Sequence, residues 1–314
     1  MHNFRHLTFF AVLAAALAVF AIFAPAARAV PRVVATIPPL HGLLMDVMKG
    51  AGAPILLLKD GGDPHHHALR PSEAGALARA DAVFLISYDL ERFLKERLPR
   101  LATRAKIVEL ARAPGVKLLP RRDLDPLRVF GRTAAGTAVG KTPDLHIWTG
   151  PENGAAMAME MARVLGELDP ANAETYHRNA KALEARIREV TVSLEGILAP
   201  LNDRPYIVTH DATQYFERRF RLAPLAAVEP PGGARPGMRR ISAVVRLARR
   251  HPGICVFTGP GEGGRWARLL EREAGARRGV LDPLGHSLPQ GEGFYPRLLQ
   301  SLGRAFAKCL KAEN

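Results

Sequence analysis

The sequence predicts an α/β protein of two lobes, each with a parallel sheet, joined by one long rigid helix. Two observations lead to this fold class. Short apolar, β-branched runs recur in both halves of the chain with helical stretches between them, which is the pattern of parallel strands covered by helices. Between the two halves, apolar residues recur at helical spacing over about 30 residues, and this periodicity predicts a single long helix.

Length and composition narrow the class of protein. The chain has 314 residues, enough for a two-lobed protein with a sizeable core. A content of 47% hydrophobic and 24% charged residues excludes a disordered chain and a multi-span membrane protein. Two cysteines exclude a disulfide-dense scaffold and a four-cysteine zinc site. The net charge of +14 raises nucleic acid or an anionic membrane as partners, although 6% aromatic residues leave few platforms for stacking bases.

Residues 1–29 are predicted to be a secretory signal peptide. Arg5 precedes the uncharged run Phe9–Ala24, and the small-x-small sequence Ala27-Arg28-Ala29 follows it, which is the layout of a cleaved leader. The alternative is an uncleaved anchor, but the run is a little short for a membrane span. We therefore expect a periplasmic chain that starts near Val30. Loss of the leader removes two arginines and no acids, so the net charge falls to +12, and export argues against nucleic acid as a partner.

The first lobe is predicted over residues 30–168. Four short apolar runs predict its strands, which are Arg32–Ile37, Ile55–Leu58, Ala82–Ile86 and Lys106–Val108. A helix is predicted over Pro71–Arg79, and another begins near Pro151. The basic stretch Ala111–Thr142 contains Pro and Gly and has weak periodicity, so it is predicted to be mostly loop.

The linker helix is predicted over residues 169–199. Asp169-Pro170 is a typical helix start, with a capping residue followed by proline at the first helical position. Apolar residues follow in steps of four and three, at Tyr176, Ala180, Leu183, Ile187, Val190, Leu194 and Ile197. Pro200 ends the pattern, and a helix of this span is ~45 Å long. An ordinary surface helix is the alternative, but strands on both sides favour a spine between two lobes.

The second lobe is predicted over residues 200–314. Its strands are predicted at Tyr206–Thr209, Ile254–Phe257 and Gly279–Leu281, with a helix over Ser242–Arg250. The two halves therefore have the same type of layered structure.

Four segments carry residues that can converge on a metal ion. A glycine-containing turn leads to the triplet His65-His66-His67, while His146 lies just before a predicted helix. His210 and Asp282 each follow a predicted strand, and open α/β sheets bind ligands at strand carboxyl ends. Three imidazoles and one carboxylate fit a tetrahedral zinc shell. Taken singly, each also fits a structural histidine, a solvated loop or a turn.

Five motifs in order carry a family resemblance. They are Pro38-Pro39-Leu40, His65 with Ala68-Leu69-Arg70-Pro71-Ser72-Glu73, Asp144-Leu145-His146-Ile147-Trp148, Thr209-His210-Asp211-Ala212 with Tyr215-Phe216, and Leu281-Asp282-Pro283-Leu284-Gly285. With them the chain resembles the TroA-like, cluster A-I family of solute-binding proteins that serve metal ABC importers. Within that family it is most similar to the ZnuA-like, zinc-uptake members. The resemblance covers nearly the whole chain after residue 29.

The resemblance implies a fold, a ligand set and a function. The fold is the metal-type solute-binding fold, and the implied metal ligands are His65, His146, His210 and Asp282. The implied function is capture of Zn²⁺ between the lobes and its delivery, as transported ligand, to an ABC permease at the inner membrane by a monomer that is not an enzyme. Members similar to the manganese importers usually have Glu at the position of His210, and three nitrogens suit zinc better than manganese.

Other functions stay open at this point. One is binding of Mn²⁺ or another divalent metal. A second is an exported zinc hydrolase, for which Asp211 or Glu292 are conceivable bases although no motif places either. A third is a surface adhesin or scaffold, which would not need the metal.

Three further expectations concern particular residues. The resemblance implies a disulfide between Cys255 and Cys309, which an oxidising compartment permits; two buried thiols are the alternative. His66 and His67 are either solvated or help to capture metal, and Ala111–Thr142 contains no histidine for such a role. Because ligand histidines must be neutral, zinc affinity is expected to fall as the pH drops through about 6.

Overall fold

Two α/β lobes with parallel sheets form the protein, as the sequence predicts. The computed structural model describes residues 30–59, 61–127, 138–231, 234–260 and 264–311. The predicted signal peptide, residues 1–29, lies outside the described residues. The predicted domain boundaries after residues 168 and 199 stay predictions.

The first lobe contains a four-stranded parallel sheet in the order β2-β1-β3-β4. Its strands are β1 (Val33–Ala35), β2 (Ile55–Leu56), β3 (Ala82–Leu85) and β4 (Lys106–Glu109). The central strands β1 and β3 are wholly buried, which explains why they appear in the sequence as continuous apolar runs. The helices of this region are α1 (Pro38–Val47), α2 (Pro71–Ala78) and α3 (Leu98–Leu101).

An antiparallel pair of strands refines one prediction. Strands β5 (Pro120–Arg122) and β6 (Ala138–Pro143) pair with each other, so the stretch Ala111–Thr142, predicted to be mostly loop, also contains strand residues, and its residues 128–137 lie outside the described residues. Both strands are short and contain proline or charged side chains, and their pairing depends on tertiary context that local periodicity does not carry.

The long linker helix is confirmed. Helix α4 (Pro151–Leu168) is followed by a 3₁₀ turn and then by α5 (Ala173–Leu198), and α4 and α5 pack against each other. The buried stripe of α5 matches the predicted one up to Ile187. Beyond it, Thr191 and Leu198 are buried where Val190 and Ile197 were expected, because a real helix of 3.6 residues per turn drifts from a regular four-three pattern.

The second lobe contains a parallel sheet in the order β10-β9-β7-β8. Its strands are β7 (Tyr206–Val208), β8 (Ala226–Ala227), β9 (Cys255–Thr258) and β10 (Arg277–Val280). The two-residue strand β8 is too short to leave a sequence signal. The helices are α6 (Gln214–Phe220), α7 (Met238–Arg249), α8 (Arg265–Ala274) and α9 (Phe294–Leu310).

Helix α9 of the second lobe packs against the first lobe. Phe294 is fully buried against Gly42 of α1, where an added Cβ would lie 2.5 Å from the Phe294 ring. The hydroxyl of Tyr295 donates to the carbonyls of Trp148 and Gly150, at 2.7 and 3.0 Å. One apolar core therefore continues from the first sheet through α4, α5 and α9 into the second lobe.

The predicted disulfide is confirmed. Cys255 on β9 is bonded to Cys309 near the end of α9, and their Cα atoms lie 6.0 Å apart. The bond closes a loop over a sequence separation of 54 and holds α9 on the sheet. In the part of the chain that the structure describes, no helix has the length and apolar character needed to cross a bilayer.

Candidate metal centre

Three histidine rings converge from three distant segments. The Nε2 atom of His146 lies 3.3 Å from Nε2 of His65 and 3.4 Å from Nε2 of His210. One nitrogen of each ring falls within 4.8 Å of the other two. Among the described residues this is the one cluster of at least three potential ligands that meets this distance.

His65 reaches the cluster from the loop between β2 and α2. Its backbone N–H donates to Oδ1 of Asp63 at 2.9 Å, which holds the loop in a local turn. The ring is more than half enclosed by the other rings of the cluster and by the cavity wall. Burial, followed by repulsion from His146, lowers the pKa of His65 to about 3, so this ring is neutral at physiological pH and has a lone pair to offer.

His146 lies at the end of the segment that follows β6. Oδ1 of the buried Asp144 accepts the backbone N–H of His146 at 3.0 Å and lies 2.7 Å from ring Nδ1. Burial favours the protonated form of Asp144, but the contacts with His146 outweigh it and hold the pKa of that carboxyl below its usual value. Tyr215 of the second lobe donates to the Asp144 carbonyl at 2.5 Å, so both lobes fix this segment.

His210 lies two residues after β7, at the carboxyl end of a central strand. Its Nδ1 lies 3.2 Å from Oε2 of Glu229. The next residue, Asp211, accepts two hydrogen bonds from the Arg122 guanidinium of β5, which also pairs with the fully buried Glu217. The hairpin of β5 and β6 thereby fixes the backbone on which His210 stands.

The Nδ1 contacts of two rings set their tautomers. A carboxylate accepts hydrogen bonds, so Nδ1 of His146 and Nδ1 of His210 each carry the proton toward Asp144 and Glu229. The two Nε2 atoms then face each other as lone pairs 3.4 Å apart. Lone pairs at that separation repel unless a cation lies between them, and this is the electrostatic condition of a metal site.

Asp282 lines the same cavity as the three histidines and lies two residues after β10. Its Oδ2 accepts the backbone N–H and the hydroxyl of Ser287, both at 2.8 Å. Its Oδ1 is buried and has no hydrogen-bond partner in the described part of the chain. Asp282 is not a member of the three-histidine cluster, so neither carboxylate oxygen lies within 4.8 Å of a ligand nitrogen of all three rings.

The neighbours of His65 in the triplet lie in different places. His66 is exposed, lies 3.0 Å from Oδ2 of Asp63 and lines the cavity. His67 is 7% exposed, pairs with Glu73 at 2.8 Å and packs on Phe93. His67 therefore has a structural contact of its own, and of the two only His66 is at the cavity.

Sequence reasoning missed three residues of the site. Glu229 lies 19 positions after His210 and carries no motif that marks it. His286 lines the cavity four residues after Asp282 and lies just beyond the last of the five motifs. The role of Asp144 had a usable signal, because an acid two positions before a ligand histidine can bond to its backbone and its ring.

Known proteins with similar sequences identify the family of this chain. The sequence model of the family described as "Zinc-uptake complex component A periplasmic" matches residues 33–309. The high-affinity zinc uptake system protein ZnuA of Brucella abortus (strain 2308) is 32% identical over 304 residues, which cover 88% of this chain and 91% of the relative. The protein of the same name from Paracoccus denitrificans is 30% identical over 324 residues, covering 96% and 98%.

A solved structure supports the same assignment. A crystal structure of ZnuA is similar with a TM-score of 0.75 and 25% identity, covering 89% of this chain and 99% of that chain. The family is a transport component and not an enzyme, which argues against the hydrolase alternative. The match to the family spans both lobes and all three converging histidines. The chain therefore belongs to the ZnuA family, the periplasmic A component of zinc-uptake complexes.

Proposed function

We propose that the protein captures Zn²⁺ between its two lobes and delivers it to an ABC permease for zinc uptake. The observation that carries this proposal is the cluster of three Nε2 atoms, two of which have carboxylates at Nδ1. A carboxylate behind a ligand imidazole raises its basicity and fixes its orientation, as in many zinc sites. Relatives named as high-affinity zinc uptake proteins support the same metal.

The ligand set in this proposal is His65, His146, His210 and Asp282. The unpartnered Oδ1 of Asp282 supports the fourth place, because a buried carboxylate oxygen without a donor is costly unless a cation or water meets it. In this proposal the loop after β10 brings that oxygen to an ion held by the three rings. Four protein ligands complete a tetrahedral zinc shell.

The donor set also favours zinc over manganese. Three imidazole nitrogens and one oxygen suit Zn²⁺, whereas Mn²⁺ prefers oxygen donors and higher coordination. In this proposal His210 is the position that decides the preference.

The family works with an ABC permease and an ATPase, and we extend this to the present chain. Residues 1–29 are the leader, cleaved after about Ala29, and the remaining chain acts as a monomer in the periplasm. The permease contacts it at the inner membrane. The shared core around α9 limits how far the lobes separate, so release requires disturbance of the ligands upon docking.

Calorimetric titration of the chain from Val30 with Zn²⁺ and with Mn²⁺ tests the proposal. We expect one zinc per chain, weaker manganese binding, and loss of most zinc affinity in His210→Ala. His177→Ala, which removes an exposed histidine of α5, is the matched control and is expected to bind as the unsubstituted protein does. A chain that binds no zinc, or a His210→Ala variant with unchanged affinity, would end the proposal.

A further inference from the structure

The positive charge of the protein is concentrated in one segment of the second lobe. Residues 235–278 contain eleven arginines and three glutamates, and no lysine or aspartate. This segment alone carries a net charge of +8, whereas all residues after 29 together carry +12. None of these arginines lines the cavity that the three histidines share with Asp282.

The fold spreads these arginines over one surface. Helices α7 and α8 lie side by side, and Arg249 at the end of α7 donates to the Glu273 carbonyl at 2.7 Å. Their apolar sides, including Val244 and Leu270, pack on the face of the second sheet opposite α9. Their outer sides, with the adjoining loops and β10, expose nine arginines. These are Arg235, Arg239, Arg246, Arg249, Arg250, Arg265, Arg268, Arg272 and Arg278. We refer to them as the basic face.

The acids within the basic face do not cancel its charge. Glu273 pairs with Arg249 and Arg272, and Glu271 pairs with Arg278. These are the two glutamates that the structure describes among the nine exposed arginines. A strong positive excess therefore remains, and it extends along two helices instead of converging on one point. Such a spread suits a surface with many negative charges more than a single small anion.

Apolar groups are interspersed with the arginines. Met238 at the start of α7 is 76% exposed. The guanidinium of Arg265 lies 4.1 Å from the centre of the half-buried Trp266 ring. Arginines with aliphatic stems, a tryptophan and an exposed methionine are the side chains that suit a membrane–water interface, because they contact headgroups and the outer acyl region together.

We propose that the basic face binds the surface of a bilayer that contains anionic phospholipid. Phosphate headgroups complement the arginines, and a lateral array of lipids complements their spread over α7 and α8. The attraction acts over about a Debye length, ~10 Å at 0.1 M salt, so it requires no insertion of backbone into the bilayer. Adsorption would hold the protein near the membrane in which its permease resides. The inference does not depend on which metal the site binds.

Vesicle co-sedimentation at low salt tests the proposal with the chain from Val30. The probes are vesicles of phosphatidylcholine and vesicles of phosphatidylcholine with phosphatidylglycerol. The face variant is Arg235→Glu with Arg239→Glu and Arg246→Glu. The matched control makes the same change in net charge on the first lobe, at the exposed Lys95, Arg100 and Arg104. A milder triple variant, with glutamine at the three face positions, serves if the glutamate variant does not fold.

We expect the unsubstituted protein to bind the anionic vesicles and not the neutral ones. Added salt should release it from the anionic vesicles. The face variant should lose about tenfold or more in partitioning, and the control should keep most of it. Equal losses in both triple variants would show that only the net charge matters and would overturn the proposal. Absence of binding to anionic vesicles would also overturn the proposal. This holds even if the basic face is found to bind an acidic protein.

Discussion

The two sides of the metal centre are built differently. His146 and His210 each have a carboxylate at Nδ1, and contacts between the lobes hold the backbone of both. The described hydrogen bonds that position the backbone of His65 come from its own loop, through Asp63, and His67 ties that loop to Glu73 and Phe93 of the same lobe. Within the described residues, no carboxylate forms a hydrogen bond with the His65 ring.

The difference shows that the cluster combines two histidines whose rings are held by carboxylates with a third that stands on a loop. His146 and His210 form a prepared pair, with tautomer and direction fixed before metal arrives. His65 depends for its position on a turn between β2 and α2. We therefore expect equivalent substitutions on the two sides to lower zinc affinity by unequal factors. The first two predictions below are ordered by their expected effect on zinc affinity, and the last two concern stability and pH dependence.

Removal of the central ring should have the largest effect. His146 is the one histidine whose Nε2 lies within 3.4 Å of both others, so His146→Ala deletes the ligand that links the two sides. We expect zinc affinity to fall more than about 100-fold, beyond the loss typical of an outer carboxylate. Competition with a chelating dye measures it. A loss smaller than that of His65→Ala would contradict the central position of His146.

The supporting carboxylates should come next. Asp144→Ala removes the acceptor behind the His146 ring, and we expect about 10–100-fold weaker zinc binding. Asp63→Ala is the matched change on the other side, where the carboxylate holds the His65 backbone but not its ring. Its cost should be clearly smaller. Equal costs by calorimetry would mean that the two sides are supported alike.

Loss of the disulfide should change stability and leave the site intact. Cys255→Ser with Cys309→Ser opens a loop closed over 54 positions, which should lower the free energy of unfolding by about 2–5 kcal/mol. The bond joins β9 to α9, and neither cysteine lines the cavity of the metal centre, so zinc affinity should stay the same. Urea unfolding and zinc titration of one preparation measure both. A large drop in affinity at full folding would show that α9 positions Asp282.

The pH profile should separate His65 from the other ligands. Burial and neighbouring imidazoles hold the pKa of His65 at about 3, and a lowered pKa means that protons compete with metal for this ring only near or below that value. The expected fall in zinc affinity near pH 6 must then come from other groups. We expect His65→Ala to weaken binding by the same factor at about pH 7.5 and about pH 5.5. If the pH dependence of zinc affinity disappears in His65→Ala, then His65 itself titrates between about pH 5.5 and about pH 7.5.

The sequence predicted the layers better than the connections. Buried strands such as β1 and β3 are continuous apolar runs, and α5 has a periodic stripe, so local pattern identified them. Local pattern did not predict the β5–β6 hairpin or β8, because their pairing depends on distant chain segments. The same reason applies at the site. The motifs identified the histidines, but Glu229 lies near His210 only through the fold.

Asp282 shows where a motif is not sufficient. The motif places it beside the histidines, and the structure places it on the same cavity wall, yet outside their cluster. Its Oδ2 is committed to Ser287 and its Oδ1 is unpartnered. Such a difference depends on loop geometry, which composition and spacing do not encode.

Zinc-edge X-ray absorption of the protein loaded with one equivalent of Zn²⁺ determines directly which atoms bind the metal. We predict a four-coordinate shell of three imidazole nitrogens and one oxygen at ~2.0–2.2 Å. His146→Ala should lose one imidazole from the shell. A shell with fewer than three imidazoles, or an oxygen-rich six-coordinate shell, would contradict the assignment of His65, His146 and His210 as the zinc ligands.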